Sequence, residues 1–165
     1  MSLPDWSLRR TLEFRTFDEA LAEVDQLLAA PYERRGNWDL SQACDHLADT
    51  FEGSMRGFDF GAPWVIRGLI GKLALRYVLH FRSIPFRPRM PQRLNPQPGK
   101  DPAQSGTRLR EKVREFEASR GPLAPHPFFG RVSVDQWRQI HLFHMAHHLG
   151  FLVPQQTVTA GIAPG

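Results

Sequence analysis

Histidines are concentrated near the end of the chain, where four of the seven fall within residues 141–148. An imidazole in an apolar helix must satisfy two ring nitrogens, so four of them together need a physical reason. On a helix His144 and His148 project from adjacent turns of one face, which is the HxxxH spacing of metal-binding helices, whereas His147 falls well off that face. The spacing predicts either a metal site or a group of hydrogen-bonded core histidines.

A third ligand would have to come from another helix, and His46 is the candidate. It lies on the shoulder of the apolar stripe of an earlier predicted helix, so it can point toward a neighbouring helix. Cys44 cannot share a metal with it, because residues two apart on a helix point roughly 200° away from each other. Together His46, His144 and His148 would suit a divalent metal such as zinc, nickel or iron and leave a coordination position for water or substrate.

Three more residues could assist such a site. His141 shares the face of the HxxxH pair one turn earlier and suits a hydrogen-bonding role beside the metal. His126 lies in the segment APHPFFG, where it either reaches over the pocket as an acid, base or substrate contact or shapes a turn. Trp137 lies on the face of His141, so it can line the pocket floor or pack in the core. His126 and His141 are therefore the candidate catalytic residues, and Trp137 is the candidate ligand-binding residue.

Four predicted helices must position these residues, and each begins with a capping residue followed three positions later by Glu or Gln. The pairs are Thr16 and Glu19, Asp39 and Gln42, Asp101 and Gln104, and Ser133 and Gln136. Apolar residues with helical spacing follow each pair, and the last helix should cover residues 134–153, ended by Pro154. A fifth, weaker pattern predicts a helix over residues 64–81. No segment alternates convincingly with period two, so the predicted fold class is all-α.

The order of these elements indicates one domain with an insertion. Four strong helices with intervening loops predict a four-helix bundle over residues 1–153, long enough to bury a real core. The fifth helix and a proline-rich connector, about residues 61–100, would be inserted between the second and third core helices. Residues 154–165 have no pattern and are expected to form a flexible tail.

Composition and charge narrow the function classes. The single cysteine and the lack of a signal-peptide or membrane-spanning pattern favour a cytoplasmic protein. The net charge of +4 is uneven, because residues 61–100 contain eight Lys or Arg and no Asp or Glu. Nucleic acid or membrane binding would explain this segment, and so would packing over an acidic body of the same or a neighbouring subunit. The interleaved prolines favour packing, so neither nucleic acid nor a membrane is the expected partner.

Two stretches, NWDLSQACDHLADTFE and HPFFGRVSVDQWRQIHLFHMAHHLGFLVP, resemble a subgroup of the DinB-like superfamily. The resemblance covers residues 8–154 and depends on the HPFFG loop, a following Trp and a histidine-rich last helix that ends in Pro. It implies an up-down-down-up four-helix bundle with a divalent metal held by one histidine of the second helix and the HxxxH pair. Those positions correspond to His46, His144 and His148.

The same resemblance implies a homodimer and metal-dependent chemistry on a low-molecular-weight thiol, as in the thiol transferases and the thiol-dependent isomerase of the superfamily. One departure concerns the residues after the HxxxH pair. The superfamily commonly has Arg-Gly-Gln there, and this chain has Leu149-Gly150-Phe151. Without the cation and the amide, the edge of the pocket should be more apolar.

These patterns leave three functions open. The favoured one is a metal-dependent transferase or hydrolase that acts on a small molecule, in which the ion lowers the pKa of a bound water or thiol. The second is a non-catalytic helical bundle that binds a small ligand or a partner. The third, a nucleic-acid or membrane adaptor working through residues 61–100, fits the sequence least.

Overall fold

The computed structural model describes residues 8–82 and 95–155, and most of them are helical, as the all-α class predicts. Its elements are α1 (Phe17–Ala29), β1 (Tyr32–Arg34), α2 (Leu40–Arg56), α3 (Trp64–Phe81), α4 (Pro102–Ala118), α5 (Val134–Leu149) and β2 (Leu152–Pro154). Most of the proline-rich connector and the tail beyond residue 155, both predicted above, lie outside the described residues. Within the described ranges, no helix has the length and apolar character needed to cross a membrane.

Side-chain caps fix where α1, α2, α4 and α5 begin. Complete capping boxes open two of them, Asp39 with Gln42 at α2 and Ser133 with Gln136 at α5. At α4 the Asp101 carboxylate accepts from the backbone N–H of Ala103, one residue earlier than a box would require. The weaker pattern over residues 64–81 is confirmed with the same bounds. The start of each helix that carries a candidate histidine is thus set by local hydrogen bonds.

Four helices share one core, and the fifth packs against it with two of its side chains. The apolar stripes of α1, α2, α4 and α5 meet in a single cluster of buried side chains, with α2 packed between α4 and α5. For this reason α2 is buried around most of its circumference over its first half. The α3 helix packs against α5 and contributes Leu75 and Val78 to the cluster. His46 and the last-helix histidines therefore lie on helices that face each other.

The last helix is shorter than predicted. It ends at Leu149, and residues 152–154 form β2, which pairs antiparallel with β1. Gly150 ends the helix in a confined position, since a Cβ there would lie 2.7 Å from the carbonyl oxygen of Arg10. Beyond it, the backbone groups are satisfied by the ladder with Tyr32–Arg34 instead of another helical turn. The prediction of helix to residue 153 is wrong because a three-residue strand is too short to give a period-two signal.

A close contact joins α3 to the 126–130 loop. A Cβ at Gly71 would lie 2.7 Å from the carbonyl oxygen of Phe128 and 3.1 Å from the Cα of Phe129. Gly130 closes the loop with φ of 75°, a conformation that favours glycine. By contrast, Gly68 lies one turn earlier on the same helix and faces open space. The missing side chain at Gly71 is what allows α3 to seat on the loop.

We predict opposite effects for the same substitution at these two glycines. Gly71→Ala should destabilise the protein by about 1–3 kcal/mol, because backbone atoms of the loop must move away. Gly68→Ala, the matched control, should be neutral or stabilise by about 0.5–1 kcal/mol through helix propensity. Urea unfolding of both variants measures the difference. Equal free energies of unfolding would show that α3 does not seat on the loop at Gly71.

Candidate metal centre

Three histidines from two helices converge at one point between α2 and α5. The Nε2 atom of His144 lies 3.2 Å from Nε2 of His46 and 2.9 Å from Nε2 of His148. One ligand atom from each of the three lies within 4.8 Å of the others, a cluster that could hold a metal ion. The trio selected from the helical faces is therefore brought together, with room for a shared ion.

Hydrogen bonding alone serves this cluster poorly. A ring nitrogen carries in the ring plane either one N–H or one lone pair, so it offers a single direction for a strong contact. The Nε2 of His144 meets two neighbouring ring nitrogens at once and can satisfy them only by sharing that one direction. A cation accepts the lone pairs of all three rings together, at about 2.0–2.1 Å from each for zinc. A metal ion therefore satisfies the three ring nitrogens better than hydrogen bonds among the rings can.

The surroundings also keep two of these rings, those of His144 and His148, uncharged. Burial, and secondarily the neighbouring imidazoles, lower the pKa values of His144 and His148 well below the ordinary histidine value. A neutral imidazole presents the lone pair that a metal needs, so near neutral pH protons do not compete with the ion for these two rings. The electrostatic environment suits a metal site of neutral nitrogen ligands.

Trp38 forms an aromatic wall beside the cluster. Its ring stacks on His148 with centroids 4.9 Å apart and packs at 4.7 Å against His46. Trp38 was not among the residues that the sequence assigned to the site. It lies just before the cap of α2, outside any helix, so no periodic pattern could have predicted its direction. The stack restrains the orientation of two of the three ligands.

Nearby carboxylates and the thiol are engaged elsewhere. Asp45, although buried, accepts from Lys100 Nζ at 2.6 Å and from Arg108 at 3.4 Å. Asp49 accepts from Arg108 at 2.5 Å. Burial, aided by the charge of Asp45, raises the pKa of Cys44 to about 12, so its thiol stays protonated and unreactive. The candidate ligands are thus imidazoles alone.

His141 is a buried positioning residue one turn before the pair. It is 1% exposed and its ring stacks at 3.8 Å on Phe51 and at 5.2 Å on Trp137. Ser54 donates its hydroxyl proton to the carbonyl of Phe51, so its oxygen must accept from His141 Nε2 at 3.0 Å. Within the described residues the other nitrogen, Nδ1, is buried with no hydrogen-bond partner. Burial lowers the pKa of His141 to about 3.

His126 shapes the turn that it begins. Its Nδ1 accepts from the backbone N–H groups of Phe128 and Phe129 at 3.1 and 3.2 Å, so the ring proton must lie on Nε2. The ring also stacks at 4.2 Å on Phe129. Burial lowers its pKa to about 3, which keeps it neutral. His126 thus has the turn-shaping role that the sequence left open, and its Nε2 edge is a hydrogen-bond donor.

Two cavities that border the histidine cluster, at His144 and at His148, differ in chemistry, and a third borders it at His46. One, the apolar chamber, has a volume of about 120 Å³ and is bordered by His144, His141 and His126. Its apolar walls are Phe58, Phe60, Val78, Phe129, Trp137 and Ile140. The other, the polar pocket, has a volume of about 550 Å³ and is bordered by Trp38 and His148. Its polar lining residues are Asn37, Gln42, Asn95 and Gln97. Trp137 and both candidate catalytic histidines therefore border the chamber.

The chain belongs to the family described as "Protein of unknown function (DUF1569)", whose model matches residues 6–155. The match includes all five helices and every residue of the candidate site. No curated protein and no solved structure matches the chain.

The buried neutral state of His141 predicts a definite pH dependence of stability. Between about pH 6.5 and pH 3, His141 binds a proton in the unfolded chain but not in the folded chain. The free energy of unfolding therefore falls as the pH falls. This one residue should contribute a slope of about 1.4 kcal/mol per pH unit in that window. His141→Phe, which keeps an aromatic ring between its neighbours, should flatten the curve measured by urea unfolding of metal-free protein from pH 4 to 7.

The control is His80→Phe, which changes an exposed histidine on α3. It should leave the slope as in the unmodified protein. If His141→Phe also leaves it unchanged, His141 is not held neutral in the folded state.

Proposed function

We propose that this protein binds a divalent metal through His46, His144 and His148 and uses it as a transferase or hydrolase acting on a small molecule. The observation that carries the proposal is the meeting of three ring nitrogens with cavities that border the cluster at His144 and at His148. Three protein ligands leave at least one coordination position open, which is the pattern of catalytic rather than structural sites. Two such cavities favour a transfer between two molecules over hydrolysis of one.

Three imidazoles suit zinc, nickel or iron. When bound, such an ion would lower the pKa of a coordinated water or low-molecular-weight thiol and so supply a nucleophile near neutral pH. The neutral imidazoles would hold it, and the stack of Trp38 on His148 would restrain the ligand rings.

The two candidate catalytic histidines are better suited to orientation than to proton donation. A general acid works best with a pKa near the working pH, and burial lowers the pKa of both His126 and His141 to about 3. Both would therefore act as neutral groups. His126 offers its Nε2–H to a substrate oxygen, and His141 holds Trp137 in place as one wall of the chamber.

We also propose the DinB-like arrangement for the fold, an up-down-down-up four-helix bundle of α1, α2, α4 and α5 with α3 inserted. The shared core of these four helices supports it, as do ligands on the second and last of them. A homodimer is part of this proposal. The outer side of α3 carries exposed apolar side chains, including Trp64 at 78% and Leu73 at 68%, which a second chain could cover.

A second candidate function is non-catalytic binding of a small ligand by the same cavities. It is favoured by the low pKa values of His126 and His141, which leave the chamber without a group that changes charge near neutral pH among its described residues. Under this alternative the metal would anchor a ligand, and no turnover would follow.

The proposal predicts stoichiometric metal binding that depends on the trio. Untagged protein should bind one equivalent of zinc, and His144→Ala should weaken binding by about a hundredfold or more, because it removes a direct ligand. His147→Ala is the matched control, since this neighbouring histidine contacts Arg9 and lies outside the trio. Calorimetric titration with elemental analysis measures both. Equal affinity for the two variants, or no stoichiometric metal in the unmodified protein, would refute the metal site.

A further inference from the structure

The size of the apolar chamber sets what it can hold. An apolar cavity of about 150 Å³ in a protein interior is known to bind benzene. The chamber, at about 120 Å³, has room for a single six-membered ring or a branched alkyl group of similar bulk. Its walls include Phe58, Phe129 and Trp137, aromatic faces that favour an aromatic occupant through offset or edge contacts.

The walls come from several separate segments, and three of these are fixed against each other. Trp137 donates its indole N–H to the carbonyl of Ala124 at 3.1 Å. The 126–130 loop is held by the Nδ1 of His126, and Val78 reaches the chamber from α3, which seats on the same loop at Gly71. The chamber is therefore formed by long-range packing of fixed elements.

The chamber also borders the histidine trio at His144. His144, which contacts both other candidate ligands, borders it, whereas the polar pocket meets the trio at His148. A molecule with its apolar group in the chamber can thus extend an adjoining atom toward the ion. His126 also borders the chamber, and its Nε2–H can donate to a hydrogen-bond acceptor on that molecule.

We propose that the chamber is the subsite for one aromatic ring, or a branched aliphatic group of that size, on a small substrate whose adjoining oxygen or sulfur reaches the metal. This inference rests on the proposed metal site for the second half of that statement. The polar pocket cannot fill this role equally well, since its amide side chains would lose hydrogen bonds to water against a hydrocarbon ring.

The first arm of the test uses metal-free protein and toluene. Thermal unfolding should shift upward as toluene approaches saturation, as expected for a ligand that binds only the folded state. Val78→Phe, which fills the chamber from α3, should abolish the shift. Tyr77→Phe, which changes the exposed neighbour of Val78, is the matched control and should keep it. No shift in the unmodified protein would overturn the inference.

The second arm uses cobalt-loaded protein and two thiols, benzyl mercaptan and 2-mercaptoethanol. Thiolate binding to cobalt is read from the visible spectrum. Benzyl mercaptan should bind at least about tenfold more tightly than 2-mercaptoethanol, because only benzyl mercaptan has a ring that moves from water into the chamber. Should Val78→Phe fail to fold, Phe60→Ala replaces it. This variant enlarges the chamber at a partly exposed wall and should move the preference toward 2-naphthylmethanethiol.

The two arms separate the inference from the proposed function. Toluene binding that Val78→Phe removes, in a protein that takes up no cobalt, would support the chamber and refute the metal site. Binding of one equivalent of cobalt, with equal affinity for the two thiols, would support the metal site and overturn the proposed subsite.

Discussion

Three imidazole nitrogens meet within 4.8 Å of one another between α2 and α5, and the surrounding structure must hold them there. Protonating any of the rings would place a charge in a desolvated site beside two other rings, which is why the pKa values of His144 and His148 are depressed. Left neutral and without a cation, His144 Nε2 can form a well-directed hydrogen bond with only one of the two ring nitrogens that it meets. Such an arrangement persists only if the helices that carry it are held together by other contacts.

Those contacts are visible on every side of the site. The β1–β2 ribbon ties the segment before α2 to the segment after α5, next to Trp38 and His148. On the opposite side of α2, Arg108 and Lys100 engage Asp45 and keep its carboxylate away from the ligands. Lys100, at the end of the basic connector, thus pairs with a carboxylate of the same chain. Burial lowers the pKa values of His126 and His141, so these two residues serve as neutral hydrogen-bonding and stacking groups.

The ligand trio could be predicted from the sequence because it depends on a fixed geometry. Helical residues turn by about 100° each, so the shared face of His144 and His148 and the shoulder position of His46 follow from spacing alone. Trp38 could not be predicted in this way, since it precedes its helix and its direction is set by tertiary packing. The apolar chamber was beyond sequence reasoning for the same reason, because α3, the 126–130 loop and α5 meet only in the folded chain. Helix was predicted over residues 150–153 because apolar residues continue past Gly150. These residues instead pair with a strand more than a hundred residues earlier in the chain, which local spacing does not reveal.

X-ray absorption spectroscopy of zinc-loaded, untagged protein would count the ligands of the ion and identify them. We expect three imidazole nitrogens at about 2.0–2.1 Å, with the remaining scattering from light atoms such as water oxygen. A sulfur scatterer at about 2.3 Å, or fewer than three imidazoles around a stoichiometric ion, would contradict the proposed metal site.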